Sequence, residues 1–530
     1  MSMHCCSTSS LSLTSTLVAS PRPSLMTPLA LPYEVWMNVA RWLPPLELGD
    51  LIGVNSALYN IAMDCKYGQI SFSYLSTRML QRLERLRVLH RDPHIARRVR
   101  VLHVHPHFIK ELIASDNAQH LLDFPSNESL LDTISKVNIH TPRYATMTDP
   151  HKHGKRLFQR PKTPLPPPRT LQSVVELIDE VLKGLINLQE YRIAWVGLPA
   201  MPVPFMSTPF VTSPLTRFTL DITLENLQSM FALRKKCMVR LTEMDIFLRT
   251  EHRLDEVSYN LILSTGLAAL ISSHPLEKLT LRLFEPIDLS PLLCSIRRLS
   301  HLRTLSLTFP LTAPYLGDTD ALADFLNLHS HTLETIHMRA NDLSSPIAQI
   351  VDSDRFTGWI TDAFSVVRIE ALHSLDLGMG LIPYASARLC LLRFSRQLER
   401  LTLTGRALWS EEVQGLLEGL NVLKRLRLGP ITLSPEMIYV LSESAVERLE
   451  LIVTDVRPSE RDAPIRSLMK VGQDECQLER FVQTMGNCIY PSWRLASLEL
   501  VLQTSSGILP DEIRPVWLRS VPQLKSIAFC

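Results

Sequence analysis

From Leu188 onward the chain returns repeatedly to an apolar spacing of Leu-x-x-Leu-x-Leu. Strict copies read LEKLTL from Leu276, LRTLSL from Leu302, LHSLDL from Leu372, LERLTL from Leu398, LKRLRL from Leu423 and LASLEL from Leu495. Looser copies start at Leu188, Leu215, Leu241, Leu333, Val446 and Leu524. Successive starts fall 23 to 49 residues apart, mostly 23 to 31, so each copy belongs to a unit of roughly that length. The longer gaps would hold a loop insertion or a degenerate unit. The last two apolar positions alternate, which turns them to one face of a short strand, while the first sits in the turn before it. Helical spacing takes over between copies, as in Val413, Leu416, Leu417 and Leu420. One strand and one helix cannot close a core, but stacked units can. The pattern therefore predicts an α/β array over 171–530, a curved stack of about 12 strand–helix units, with an earlier unit starting at Ala96.

The pattern ahead of the array is helical. Pro32 suits a first helical position, Val35, Val39, Trp42 and Leu43 recur at helical spacing, and Pro44 and Pro45 stop that helix. Leu46, Leu48, Leu51, Ile52 and Val54 start a second apolar run, and Leu58, Ile61 and Ala62 a third. This helical zone is set at 29–75. Residues 76–139 are read as a linker helix and a first degenerate repeat. Residues 1–28 are rich in Ser and Thr and are read as a disordered tail. Over 140–170 seven prolines interleave with Lys152, Lys155, Arg156, Arg160, Lys162 and Arg169, which predicts a solvated, disordered insert.

Composition narrows the function classes. A net charge of +2 gives no global field toward nucleic acid. No apolar run reaches the ~18 residues of a membrane span. The nine cysteines are odd in number and contain no Cys-x-x-Cys pair, which argues against a disulfide framework or a zinc module and fits a reducing cytoplasmic or nuclear setting. No phosphate-binding glycine loop, zinc-protease helix or nucleophile elbow occurs, so no catalytic residue, metal ligand or cofactor is assigned. His103, His105 and His107 alternate on a strand edge, but no Cys or carboxylate stands close in sequence.

The repeats resemble the leucine-rich-repeat family over most of the chain, in an irregular form without the usual Asn or Cys after the strand. Residues 31–59 resemble an F-box: Leu31, Pro32, Glu34, Val35, Val39, Leu43, Pro44, Leu48, Leu51 and Val54 fall in register with Leu-Pro-x-Glu, a helix, Leu-Pro and an x-x-Leu…Val run. The family often ends in Val-Cys-Arg-x-Trp, where this chain has Val54 to Tyr59 with Asn55 and Ser56. The ending VNxxLYxIAMDxxYxxISF, from Val54 to Phe72, resembles F-box proteins expanded in mushroom-forming fungi. The resemblance implies a three-helix F-box docked on the Skp-family adaptor of a Skp–cullin–F-box ubiquitin ligase through Leu31, Pro32, Val35, Leu43, Pro44 and Leu48. It also implies that the array holds a target protein without catalysing anything itself. The alternative is a leucine-rich scaffold or regulator acting outside a ligase.

Strand alternation gives the target-facing residues. On the expected concave side lie Lys278, Arg282, Arg339, Arg400, Arg425, Arg427 and Arg448, with Arg400, Arg425, Arg427 and Arg448 on three neighbouring strands. Clustered guanidiniums hold carboxylates or phosphates by paired hydrogen bonds, which predicts an acidic or phosphorylated target segment.

Overall fold

The computed structural model describes residues 31–122 and 170–529, apart from 75, 90–92, 200–203, 232–240, 252–253, 286, 311–317, 342–360, 379–383, 458–473 and 503–509. The tail expected over 1–28 and most of the insert expected over 140–170 lie outside the described residues. The chain divides into two units, which meet between Lys66 and Tyr67 rather than at the expected 75.

The first unit is three short helices: α1 (Tyr33–Arg41), α2 (Pro45–Asp50) and α3 (Ser56–Tyr67), with one 3₁₀ turn at Leu51–Gly53. Pro32 caps α1, and its carbonyl accepts from the Val35 and Trp36 N–H groups. Pro44 ends that segment and starts α2, because a proline ring cannot continue a helix but fits its first turn. Asn55 starts α3, its side-chain oxygen accepting from the Leu58 N–H at 2.8 Å. The small core gathers Ala40, Leu48, Leu58 and Ala62, with Trp36, Leu43, Leu51, Ile52 and Ile61 packed around it.

The second unit is one parallel sheet of 14 strands in sequential order. They are β1 (Gln69–Phe72), β2 (Val101–Val104), β3 (Glu190–Trp195), β4 (Arg217–Thr223), β5 (Glu243–Arg249), β6 (Lys278–Leu283) and β7 (Thr304–Pro310), then β8 (Thr335–Asn341), β9 (Ser374–Gly378), β10 (Arg400–Leu408), β11 (Arg425–Leu433), β12 (Arg448–Val456), β13 (Ser497–Leu502) and β14 (Ser526–Phe529). Each of the twelve copies read from sequence ends in one of the strands β3 to β14. Two further strands precede them, so the array begins at Gln69 and not at Leu171. Their apolar triplets are Tyr67, Ile70, Phe72 and Val99, Leu102, Val104, which puts the early repeat at Val99 and not Ala96.

One backbone device marks every unit after the first. Two consecutive N–H groups at the start of each strand from β2 to β14 share one carbonyl of the preceding unit. Arg100 and Val101 donate to Gly68, Glu277 and Lys278 to Thr242, and Lys525 and Ser526 to Ala496. This ladder satisfies the polar backbone where the chain turns into the sheet, so no unit is skipped along the stack. The long gaps are accordingly insertions: β8 pairs directly with β9, and β12 with β13.

The repeat leucines build the core. Leu276, Leu279 and Leu281 of one unit are fully buried, as are Leu302, Leu305 and Leu307 of the next. Helices such as Thr319–Leu328 bury Leu322, Phe325 and Leu326 in the same continuous core. That covers one face of the sheet. The alternate positions form the other, less buried face, in rows that run straight across strands because the register is unbroken at the strand starts.

Candidate functional site

Two surfaces carry the residues that sequence singled out, one in each unit. In the first unit, α1 is apolar on two sides. Trp36, Ala40 and Leu43, spaced four and three apart, turn into the small core. Leu31, Val35, Val39 and Trp42 form a second stripe at the same spacing that no described residue buries: they are 49%, 39%, 43% and 89% exposed. Tyr33 and Met37 widen it. A helix that is apolar all round normally has neighbours all round. Exposed apolar residues scattered singly need no explanation, whereas contiguous exposed apolar patches are common where proteins meet partners.

The six adaptor-facing candidates therefore divide. Leu31, Pro32 and Val35 lie on the exposed face, and Pro44 is exposed at the start of α2. Leu48 is only 4% exposed and Leu43 is half-buried, both in the helix core. These two pack inside the helix trio: a unit this small has to use its regularly spaced leucines to close its own core. Val39 and Trp42 join the surface instead. Their spacing from Val35 was the signal, and it stood beside an equally good inward stripe.

In the second unit, the rows on the open face differ sharply in charge. The first row, at the strand starts, opens with the uncharged Gln69 and Val101 and then runs through Glu190, Arg217, Glu243 and Lys278 on β3 to β6. The signs alternate and pair off: Arg217 lies 3.6 Å from Glu190 and 2.6 Å from Glu243. The Arg217 hydrogen bond holds the Glu243 carboxyl below its ordinary range, and the Arg217 guanidinium rises in return. Thr304, Thr335 and Ser374 follow, uncharged. Arg400, Arg425 and Arg448 then stand side by side on β10, β11 and β12. Among the described residues, none of the three guanidiniums makes a hydrogen bond or ion pair, although their backbone N–H groups take part in the strand ladder. The guanidiniums of Arg400 and then Arg448 push that of Arg425 below its ordinary value.

Three of the other basic candidates, Arg427, Arg339 and Arg282, meet partners on the sheet. Arg427 lies in the third row opposite Glu450, an ion pair of 2.9 Å, and so leaves the free arginine group. Partial burial raises the Glu450 carboxyl, with Glu499 adding to the rise and Arg427 opposing it. Arg339 donates its Nε–H to Asp376 at 3.0 Å, and His337 Nδ1 meets the same carboxylate oxygen at 3.0 Å. Burial works against the Asp376 charge, yet those hydrogen bonds hold its carboxyl below the ordinary range. Arg282 sits 5.6 Å from the Phe284 ring, which Arg249 covers at 3.6 Å. Lys278 closes the alternating row beside Glu243. The predicted strip thus resolves into the unpaired arginines Arg400, Arg425 and Arg448, the engaged Arg427, Arg339 and Arg282, and Lys278 beside the carboxylate of Glu243.

Comparison with known proteins adds little. No protein-family model matches the chain, and no curated protein matches it. Among solved structures it is similar to a chain in the crystal structure of the Rad7 and Elc1 complex of yeast, at 15% identity, over 67% of this chain and 82% of that one, with a TM-score of 0.37. A likeness this loose carries no functional argument.

Among the described residues, no group of three or more His, Cys, Asp or Glu is placed to hold a metal ion, and no helix is long and apolar enough to cross a membrane. His103 and His105 both fall below their ordinary value, first through burial, and His107 stacks on Tyr74 at 5.6 Å.

Proposed function

We propose that the chain is a non-catalytic substrate receptor of a ubiquitin ligase, working in the cytoplasm or nucleus. The first unit is an F-box that docks on a Skp-family adaptor and through it on the cullin core. The leucine-rich array presents its open sheet face to a target protein. One observation carries the reading: the uncovered stripe Leu31, Val35, Val39 and Trp42 lies on the helix whose sequence is in F-box register. Covering three such side chains supplies on the order of 5 kcal/mol before the costs of association, enough to make an apolar partner worthwhile. The sequential parallel array supports the other half, because such stacks offer a long ligand-facing surface.

The test is capture of a purified Skp-family adaptor by the full chain and by a Val39→Asp, Trp42→Asp double variant. Both positions are exposed, so the variant keeps the wild-type thermal midpoint while its adaptor affinity falls more than about tenfold. If the wild-type chain captures no adaptor, the array is a scaffold or regulator outside a ligase.

A further inference from the structure

The unpaired arginine row names the chemistry of the target. Strands in a sheet lie about 4.8 Å apart, so Arg400, Arg425 and Arg448 place three guanidiniums within a span of about 10 Å. The carboxylates closest in register are engaged elsewhere: Glu399 with Lys424 at 2.9 Å, and Glu450 with Arg427. Glu447, next to Arg448 in sequence, lines a cavity of about 640 Å³ with Ser492, Arg494 and Lys525. Ser374 and Ser497 flank the row and bring hydroxyls but no charge. Three like charges in adjacent register destabilise the empty sheet, and no other row on the described strands repeats them.

We propose that Arg400, Arg425 and Arg448 form a phosphate-binding site that receives one phosphoserine or phosphothreonine of an extended target segment. A phosphoryl group over Arg425 brings close to two negative charges and three acceptor oxygens, which suits a bidentate central guanidinium and one donor from each neighbour. A carboxylate has half the charge and one oxygen fewer. A polyanion gains little by running on across the sheet, because in the third row below Arg427 is already taken by Glu450, Asp376 by Arg339 and His337, and Glu499 adds a negative charge. A single compact dianion at the strand starts avoids them. The proposal rests on the receptor reading only in taking the ligand to be a target segment.

The experiment uses the immobilised full chain at near-physiological salt. It receives three degenerate peptide libraries with a fixed central phosphoserine, serine or glutamate, and a short single-stranded DNA oligomer. Wild type retains the phosphoserine library about tenfold over the serine library, with glutamate well below phosphoserine. Arg425→Glu abolishes the preference and Arg425→Gln removes most of it. Arg303→Gln, a cation on the same sheet edge paired with Glu334 at 2.9 Å, leaves it unchanged. Arg425→Glu also melts at or above the wild-type temperature, since it turns three like charges into an alternating row. Equal retention of phosphoserine and serine, equal retention of glutamate, a stronger hold on DNA, or a preference that survives Arg425→Glu each overturns the site. A lowered midpoint for Arg425→Glu overturns the like-charge argument behind it. Adaptor capture by the same preparation stands apart, so a chain that binds adaptor but ignores phosphate sinks this inference alone.

Discussion

Strands β3 to β6 and strands β10 to β12 are built the same way and charged in opposite fashion. Each buries its repeat leucines completely or nearly so, and each hangs from the preceding unit by the same shared carbonyl. On the open face, the first row of the early strands alternates Glu190, Arg217, Glu243, Lys278, while the late strands line up Arg400, Arg425, Arg448. The early row shows that the fold readily accommodates self-neutralising charges at these positions. The late row is therefore not something the fold requires. Stability is set on the buried face, while the charge pattern of the open face is left free to vary, so the two faces answer to different constraints.

The comparison can be broken most forcefully from the buried side. Leu281→Ala in the early region and Leu428→Ala in the late one should each cost about 2–5 kcal/mol in urea unfolding, because both leave a cavity in a packed core. A large difference between them would mean that the two regions are not equivalent underneath. Charge reversal on the open face should then separate them by sign. Arg217→Glu places a third carboxylate between Glu190 and Glu243 and should lower stability by about 0.5–1 kcal/mol, a figure kept small because the side chain is 40% exposed and screened. Arg425→Glu should hold or raise the thermal midpoint instead. Salt sharpens the contrast: raising it from about 50 mM to about 1 M shortens the screening length severalfold, so both shifts should shrink toward zero. Equal shifts at both salt levels would point to packing rather than charge.

The smallest effect lies between the two regions. His329 is buried, its Nδ1 toward the Phe325 carbonyl at 2.7 Å and its Nε2 accepting from the Leu299 N–H at 2.9 Å. Burial lowers its pKa, with the Phe325 hydrogen bond opposing and Arg298 adding to the fall. The unfolded chain therefore binds a proton there before the folded one does. Its contribution to stability is present above the ordinary histidine range and is lost as pH falls toward the folded value. Between about pH 7 and pH 5, His329→Gln should flatten the fall of the thermal midpoint relative to wild type. Parallel curves would show that His329 is not the group that titrates.

The repeat was legible because its leucines are strict and its strands follow at a fixed offset, from Leu188 to Leu524. The first two strands were missed in part because Tyr67, Ile70, Phe72 and Val99, Leu102, Val104 contain one leucine between them and stand before the long insert. Leu48 misled because spacing shows that a helix has an apolar face but not which of two faces is covered. The arginine strip was half legible. Strand alternation placed Arg427 on the open face, but cross-strand register, which sets it opposite Glu450, decides that it is already paired. Arg339 and Asp376 show the same limit: they are diagonal neighbours on β8 and β9, and their contact depends on side-chain reach.

Amide hydrogen exchange on the full chain, with and without a purified Skp-family adaptor, tests the division of labour most directly. The account predicts slowed exchange within residues 31–54 and no change along β3 to β14. An unchanged 31–54, or protection that appears on the sheet instead, would contradict it.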